Sequence, residues 1–283
     1  MSERNSGNRR RTTEIEGIQI FLAHPDELPM RWIGQEELLL QLHACWKIIE
    51  ERDIPLSPRI IGKPGVGKTT LAYSAAKMLG REVYIFQATM DTRPEDLLIT
   101  PVIADEKKIQ YVASPIVTAM LTGGIAILDE GNRMSEKSWA SLAPLLDTRR
   151  YIESIVAGVK VSAHPDFRIV ATMNDDASTF EIPEYIHSRL QPQIYIDFPE
   201  REEEMAILRE NLPFVDEKIL DYVAGFLERC HAAEEPFTVR DGINIARYVA
   251  KRLSYGPKDI KALIREAMLN VLGESAMRYT ENL

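Results

Sequence analysis

Apolar and polar positions fall in blocks along this chain, and the blocks change character near residue 199. Before it, short apolar runs alternate with longer stretches in which apolar residues recur every three or four positions. Ile60-Ile61, Val83–Gln87, Gly124–Leu128, Phe167–Met173 and Ile194–Phe198 are runs of the buried-strand type, and Ile18–Phe21 has the length of a short strand. A helix opened by Gly34-Gln35-Glu36 carries the stripe Leu38/Leu39, Leu42, Cys45/Trp46 and Ile49. Leu71–Leu79 and Ser138–Leu146 also read as helical, and Arg149–Ser162 as a hairpin turning near Ala157-Gly158. Pro94–Leu98 predicts an interrupted helical region with an insertion over Ala104–Ser114, its charged tip at residues 104–108 facing solvent. Strands alternating with helices predict a parallel sheet covered on both faces. From Pro199 onward only helical spacing remains. Arg201–Leu212 is followed by stripes at Ile219, Tyr222/Val223, Phe226 and Cys230, at Ile243, Ala246, Val249/Ala250 and Leu253, and at Ile260, Leu263/Ile264, Ala267/Met268 and Val271. The expected division is a disordered basic tail over 1–13, an α/β domain over 14–199 and a small four-helix domain over 200–283.

The first of the five main strands runs into Gly62-Lys63-Pro64-Gly65-Val66-Gly67-Lys68-Thr69-Thr70, which fits G-x-x-x-x-G-K-[ST]. Glycines let such a loop turn consecutive N–H groups toward one anion. The helix that follows brings its positive dipole end to the same place. Lys68 then supplies a cation for the β- and γ-phosphates of a nucleoside triphosphate, and the Thr69 hydroxyl a ligand for Mg²⁺. About sixty residues on, the apolar run Gly124–Leu128 ends in Asp129-Glu130. A carboxylate at the carboxyl end of such a strand stands where open α/β sheets bind ligands. Asp129 is thereby the candidate for the Mg²⁺ shell and Glu130 for polarising an attacking water. No N-K-x-D guanine-reading motif is present, which points to ATP over GTP.

Composition narrows the partners. Net charge is −9, so the chain has no global attraction for phosphate backbones, and nucleic acid is an unlikely target on this ground. The one basic cluster, Arg4 with Arg9-Arg10-Arg11, lies in the Ser/Asn/Gly-rich leader. No apolar run approaches the ~20 residues that span a bilayer. Cys45 and Cys230, each inside a helical pattern, read as buried thiols of a reducing, cytoplasmic compartment. The five histidines have no ligand spacing and read as structural.

Taken together, the P-loop, Leu128-Asp129-Glu130-Gly131-Asn132-Arg133, Ala171-Thr172-Met173-Asn174, Ser188-Arg189-Leu190 and Val239-Arg240 resemble an AAA+ ATPase, and within that superfamily the MoxR group. The similarity runs from about Trp32 to the C-terminus. It implies a five-stranded parallel sheet of order 5-1-4-3-2, an insertion in the second helix at about Leu97–Pro115, a hairpin before the fourth strand, and a C-terminal helical lid. By the same resemblance Asn174 is a sensor of the γ-phosphate, Arg189 an arginine finger acting on a neighbouring subunit's nucleotide, and Arg240 a lid arginine contacting the nucleotide. The implied function is ATP hydrolysis in a homo-oligomeric, hexameric ring that remodels a protein client, with a von Willebrand factor A-domain protein as implied partner. A nucleic-acid motor and a slow nucleotide-gated scaffold are the alternatives. Two positions depart from the pattern: Gly131 stands where an apolar residue is usual, and Asp175 where proline is common.

Overall fold

Residues 11–104, 108–175, 181–256 and 259–280 are described by the structure, a computed structural model. The chain divides into two units. The first comprises residues 1–31, 37–61 and 68–195; the second comprises residues 32–36, 62–67 and 196–283.

In the first unit the chain enters as a hairpin, β1 (Thr12–Ile15) and β2 (Ile18–Phe21), with Thr12 opposite Phe21 and Thr13 opposite Ile20. Of the tail expected over 1–13, residues 1–10 lie outside the described residues, while Thr12 and Thr13, both β-branched, are in a strand. Arg11 is tied down as well, its guanidinium 2.7 and 2.9 Å from the Glu82 carboxylate oxygens.

Helix α1 (Glu36–Trp46) buries Leu42, Cys45 and Trp46 as the spacing requires, but stops before Ile49. The Ile49 N–H is taken by the Asp53 carboxylate (2.9 Å) in a local turn, and its side chain is left 84% exposed. Then follow β3 (Arg59–Gly62), α2 (Lys68–Met78) and β4 (Val83–Gln87).

The stretch after Pro94 takes a form the pattern does not specify. Pro94–Leu97 forms one 3₁₀ turn in place of a longer helix, and the insertion expected at about Leu97–Pro115 is a β-hairpin, β5 (Ile99–Ile103) with β6 (Ile109–Ala113). Pro101 accounts for it. Proline inside a helix costs ~3 kcal/mol, whereas on an edge strand its missing N–H harms no ladder. β5 is such an edge in a second sheet of order β1-β2-β6-β5. Of the solvent-facing tip expected at residues 104–108, residues 105–107 lie outside the described residues.

Beyond the hairpin come α3 (Pro115–Thr122), β7 (Ile125–Asp129), α4 (Glu136–Leu142), the hairpin β8 (Tyr151–Ser154) and β9 (Val159–Ser162), β10 (Arg168–Asn174), α5 (Glu184–His187) and β11 (Gln193–Tyr195). The main sheet has the order β11-β3-β10-β7-β4, which in chain order is 5-1-4-3-2, as expected. Its parallel register sets Ile125 against both Val83 and Arg168, and Ile60 against Ile194. All seven residues of β10 are buried, the mark of a strand covered on both faces. β11 ends at Tyr195, short of the expected Phe198, because the Asp197 carboxylate accepts the Phe198 N–H (2.8 Å) in a local turn.

The second unit holds α6 (Arg201–Asn211), α7 (Glu217–Ala232), α8 (Val239–Leu253) and α9 (Ile260–Leu272), the four helices the spacing predicts. Leu208, Val223, Phe226, Leu227, Ile245, Val249, Ile264 and Met268 are their buried centre. Two short earlier segments are grouped with these helices, residues 32–36 and the loop 62–67. The Gln35 N–H donates to the Glu203 carboxylate at 2.9 Å. Among the described residues no helix is long and apolar enough to cross a membrane.

Candidate active site

The glycine-rich loop needs its glycines for conformation and for space. Gly65 has φ +81° and Gly67 φ +99°, left-handed values that L side chains rarely adopt. A β-carbon on Gly65 would also stand 2.7 Å from the Thr238 hydroxyl oxygen. Lys63 sets its ammonium 4.7 Å from the centre of the Phe198 ring, within cation–π range. The loop delivers the chain to α2, whose first residue, Lys68, is buried. Helix N-termini leave N–H groups unsatisfied and carry positive partial charge, so an anion is favoured there.

In the first unit, hydrogen bonds join the next residues of the motif to the carboxylates. The Thr69 hydroxyl donates to Asp129 Oδ1 at 2.6 Å. The same oxygen accepts from the Thr172 hydroxyl at 2.5 Å, and Thr172 Oγ1 in turn accepts the Glu130 N–H at 3.0 Å. Thr172 is fully buried on β10, so β10 holds the Asp129 carboxylate and the Glu130 peptide at the end of β7. Glu130 sits at φ +54°, a left-handed value uncommon outside glycine and of the kind that clusters at functional sites. Its Oε2 lies 2.6 Å from Arg133 Nε, an ion pair by distance without hydrogen-bond alignment.

Asn174 is buried at the end of β10 and is held by Asn132: Asn132 Nδ2 donates to the Asn174 carbonyl (2.8 Å), and the Asn174 N–H reaches Asn132 Oδ1 at 3.3 Å. Gly131 also has a reason, since a β-carbon there would lie 3.2 Å from the Trp139 ring. A side chain at that position would crowd this tryptophan, which would have to give by a few tenths of an ångström.

Thr69, Asp129, Glu130 and Asn174 thus belong to linked elements. Arg189 belongs to a different network: Nε donates to Asp147 Oδ2 (3.2 Å) and Nη1 to the Tyr185 carbonyl (2.5 Å). Arg149 grips the same carboxylate, and these bonds, Arg149's first, hold the Asp147 carboxyl well below the usual carboxylate range. Arg240 is exposed in the first turn of α8, in the other unit. Thr172, Asn132 and Arg133 lie within the sequence motifs, which by themselves mark no role for them. A polar residue inside an otherwise apolar strand was the available signal for Thr172, because a buried hydroxyl needs a partner.

A strand–loop–helix phosphate cradle, a paired acid at the end of the third strand and the 5-1-4-3-2 sheet make up an α/β P-loop fold of the AAA+ type. Comparison with known proteins agrees. Residues 59–190 match the AAA domain (dynein-related subfamily). An uncharacterised protein of Staphylococcus aureus is 26% identical over 172 residues, 59% of this chain and 65% of its own length. Von Willebrand factor A domain-containing protein 8 of Mus musculus is 27% identical over 214 residues, 68% of this chain but 11% of the mouse protein. The chain therefore spans less than two thirds of these relatives. Among solved structures, Thermotoga maritima RuvB, described as a Holliday junction branch migration motor, superposes with a TM-score of 0.56 at 16% identity, covering 86% of this chain and 72% of RuvB.

Proposed function

We propose that this chain hydrolyses ATP in a ring of identical subunits, hexameric as in the group it resembles, and uses turnover to remodel or activate a partner protein. The observation that carries the reading is the Thr69–Asp129–Thr172 network with Glu130 fixed beside it. Its hard oxygen donors suit Mg²⁺, which keeps several waters and binds through one or two protein oxygens plus substrate phosphates. Among the described residues no cluster of three or more His, Cys, Asp or Glu offers a larger metal cage. Thr69 and Asp129 would hold the ion, whose charge neutralises the β- and γ-phosphate oxygens. The loop Gly62–Gly67 and Thr70 cradle the triphosphate, and Lys68 pairs with it. Glu130 orients the attacking water and accepts its proton. Asn174, fixed by Asn132, faces the γ-phosphate, and Arg240 contacts the nucleotide from α8.

Arg189 is assigned to the neighbouring subunit's nucleotide, with Asp147 orienting it. An arginine supplied in this way is worth about 10³–10⁵ in rate. The MoxR-like sequence motifs and the likeness to a von Willebrand factor A domain-containing protein support a partner of that domain type. A net charge of −9 supports a protein client over DNA, although RuvB shares the fold.

ATPase rates across protein concentration test the proposal. Specific activity should rise as subunits associate, Glu130→Gln should bind ATP without turnover, and Arg189→Ala should be slow throughout. Mixing the two variants should restore turnover at sites that keep Glu130 and borrow Arg189. Concentration-independent activity with no rescue in co-assembled mixtures would remove the trans role, and strong stimulation by duplex DNA would favour the motor reading instead.

A further inference from the structure

Within the helical unit one buried acid has no evident task. Glu204 on α6 is completely buried, and neither carboxylate oxygen has an aligned hydrogen bond. Oε1 lies 3.3 Å from Nδ1 of His231 near the end of α7. The other imidazole nitrogen, Nε2, lies 2.7 Å from the Phe237 carbonyl. A carbonyl can only accept, so Nε2 carries the hydrogen and Nδ1 presents its lone pair to Glu204. One face of the imidazole is stacked on Phe198, with centroids 3.8 Å apart and planes 8° from parallel. Phe198 is the ring beneath the Lys63 ammonium of the phosphate-binding loop. Phe237 immediately precedes Thr238, the residue that fills the space over Gly65. His231 is therefore joined to two of the places where this unit touches the loop, Lys63 and Gly65.

We propose that Glu204 and His231 are positioning residues for the phosphate-binding loop, sharing one proton that keeps His231 bonded to Phe237, stacked on Phe198 and in register with Lys63. The proposal rests on the nucleotide-binding reading above and adds a pH control to that site. With a proton on Glu204, its O–H can serve the Nδ1 lone pair while Nε2–H keeps the Phe237 carbonyl. Loss of that proton to solvent leaves a buried carboxylate facing a lone pair. The relief available is a tautomer change, with the imidazole proton on Nδ1 for Glu204 and the Phe237 bond given up. The loop then loses its support at Lys63 and Gly65 together.

The charges around the pair set where this happens. Burial, and then the Glu228 carboxylate on α7, push the Glu204 carboxyl up to about 8. Burial lowers His231 from its ordinary value; the Phe237 bond and Asp197 oppose this, and Lys63 adds to it. If only the protonated pair seats the loop, apparent affinity scales with the protonated fraction, which falls about tenfold between about pH 7 and about pH 9.

Binding of a fluorescent N-methylanthraniloyl-ADP with Mg²⁺, measured from about pH 6 to about pH 9 on the full chain, decides the matter. The parent should lose about tenfold in affinity over the upper two units. Glu204→Gln, which keeps the shape and an N–H donor without a titrating proton, should be flat. Phe198→Leu should bind more weakly at every pH and also lose the slope. A flat parent, or a Glu204→Gln profile that tracks the parent, overturns the proposal while leaving nucleotide binding intact. A slope that survives Phe198→Leu overturns the route through that ring. A folded parent that binds no nucleotide at any pH overturns the nucleotide-binding reading itself, and this proposal with it.

Discussion

Thr172→Val is the most informative single change in the active site, because it removes one oxygen and almost no volume. Thr172 is fully buried on β10, donates to Asp129 Oδ1 at 2.5 Å and accepts the Glu130 N–H at 3.0 Å. A hydrogen bond to a charged group is worth about 1.5–3 kcal/mol, and leaving a buried N–H unsatisfied costs about 1–3 kcal/mol. Glu130 is only half-buried, which puts its share at the low end, about 1 kcal/mol. The methyl that replaces the hydroxyl returns up to about 0.8 kcal/mol. The net loss of stability should be about 2–3 kcal/mol, read as a shift of the urea midpoint at unchanged m. Catalysis should suffer separately. Asp129 keeps Thr69 as a donor, so KM for ATP should change little, whereas Glu130 loses the anchor of its left-handed peptide and kcat should fall about 10–100-fold. Thr172→Ser restores the oxygen and should recover most of both. A folded Thr172→Val protein with parental kcat and an unmoved midpoint would refute the claim that this hydroxyl organises the two acids.

Two further outcomes follow from side chains elsewhere. Arg59 is 2% exposed at the start of β3, with Nε and Nη1 unbonded, so Arg59→Met should leave stability unchanged or raise it by about 1–4 kcal/mol; a clear loss in thermal melts would show that the guanidinium is compensated. Asp147 is held below its ordinary pKa chiefly by Arg149 and also by Arg189, so its stabilisation is complete above the unfolded value of about 3.9 and is lost as pH falls through and below that value. Asp147→Asn should therefore flatten the acid limb of a stability-against-pH curve and leave the limb above about pH 6 parallel to the parent's; an unchanged acid limb would show that the ion pair adds nothing.

Local pattern was enough to read the phosphate loop, the acid pair, all five main strands and the four C-terminal helices. Each is encoded within one short window: glycine spacing for the loop, an apolar run ending in acid for β7, a period near 3.6 for α6–α9. Where two local signals competed, tertiary packing decided. Pro101 and the β-branched residues around it settle as an edge strand because β6 pairs on one side, and the α1 stripe stops short of Ile49 because Asp53 captures its N–H. Residues whose meaning lies in a distant partner stayed out of reach. Thr172 is one more polar residue until β10 lies beside β7, and no local pattern shows that Asp147 is the partner of Arg189. His231 read as structural, and only the fold shows that it lies between Glu204 and the ring under Lys63. Such contacts are made by folding residues far apart in the chain into hydrogen-bond range, and no periodicity records which ones meet.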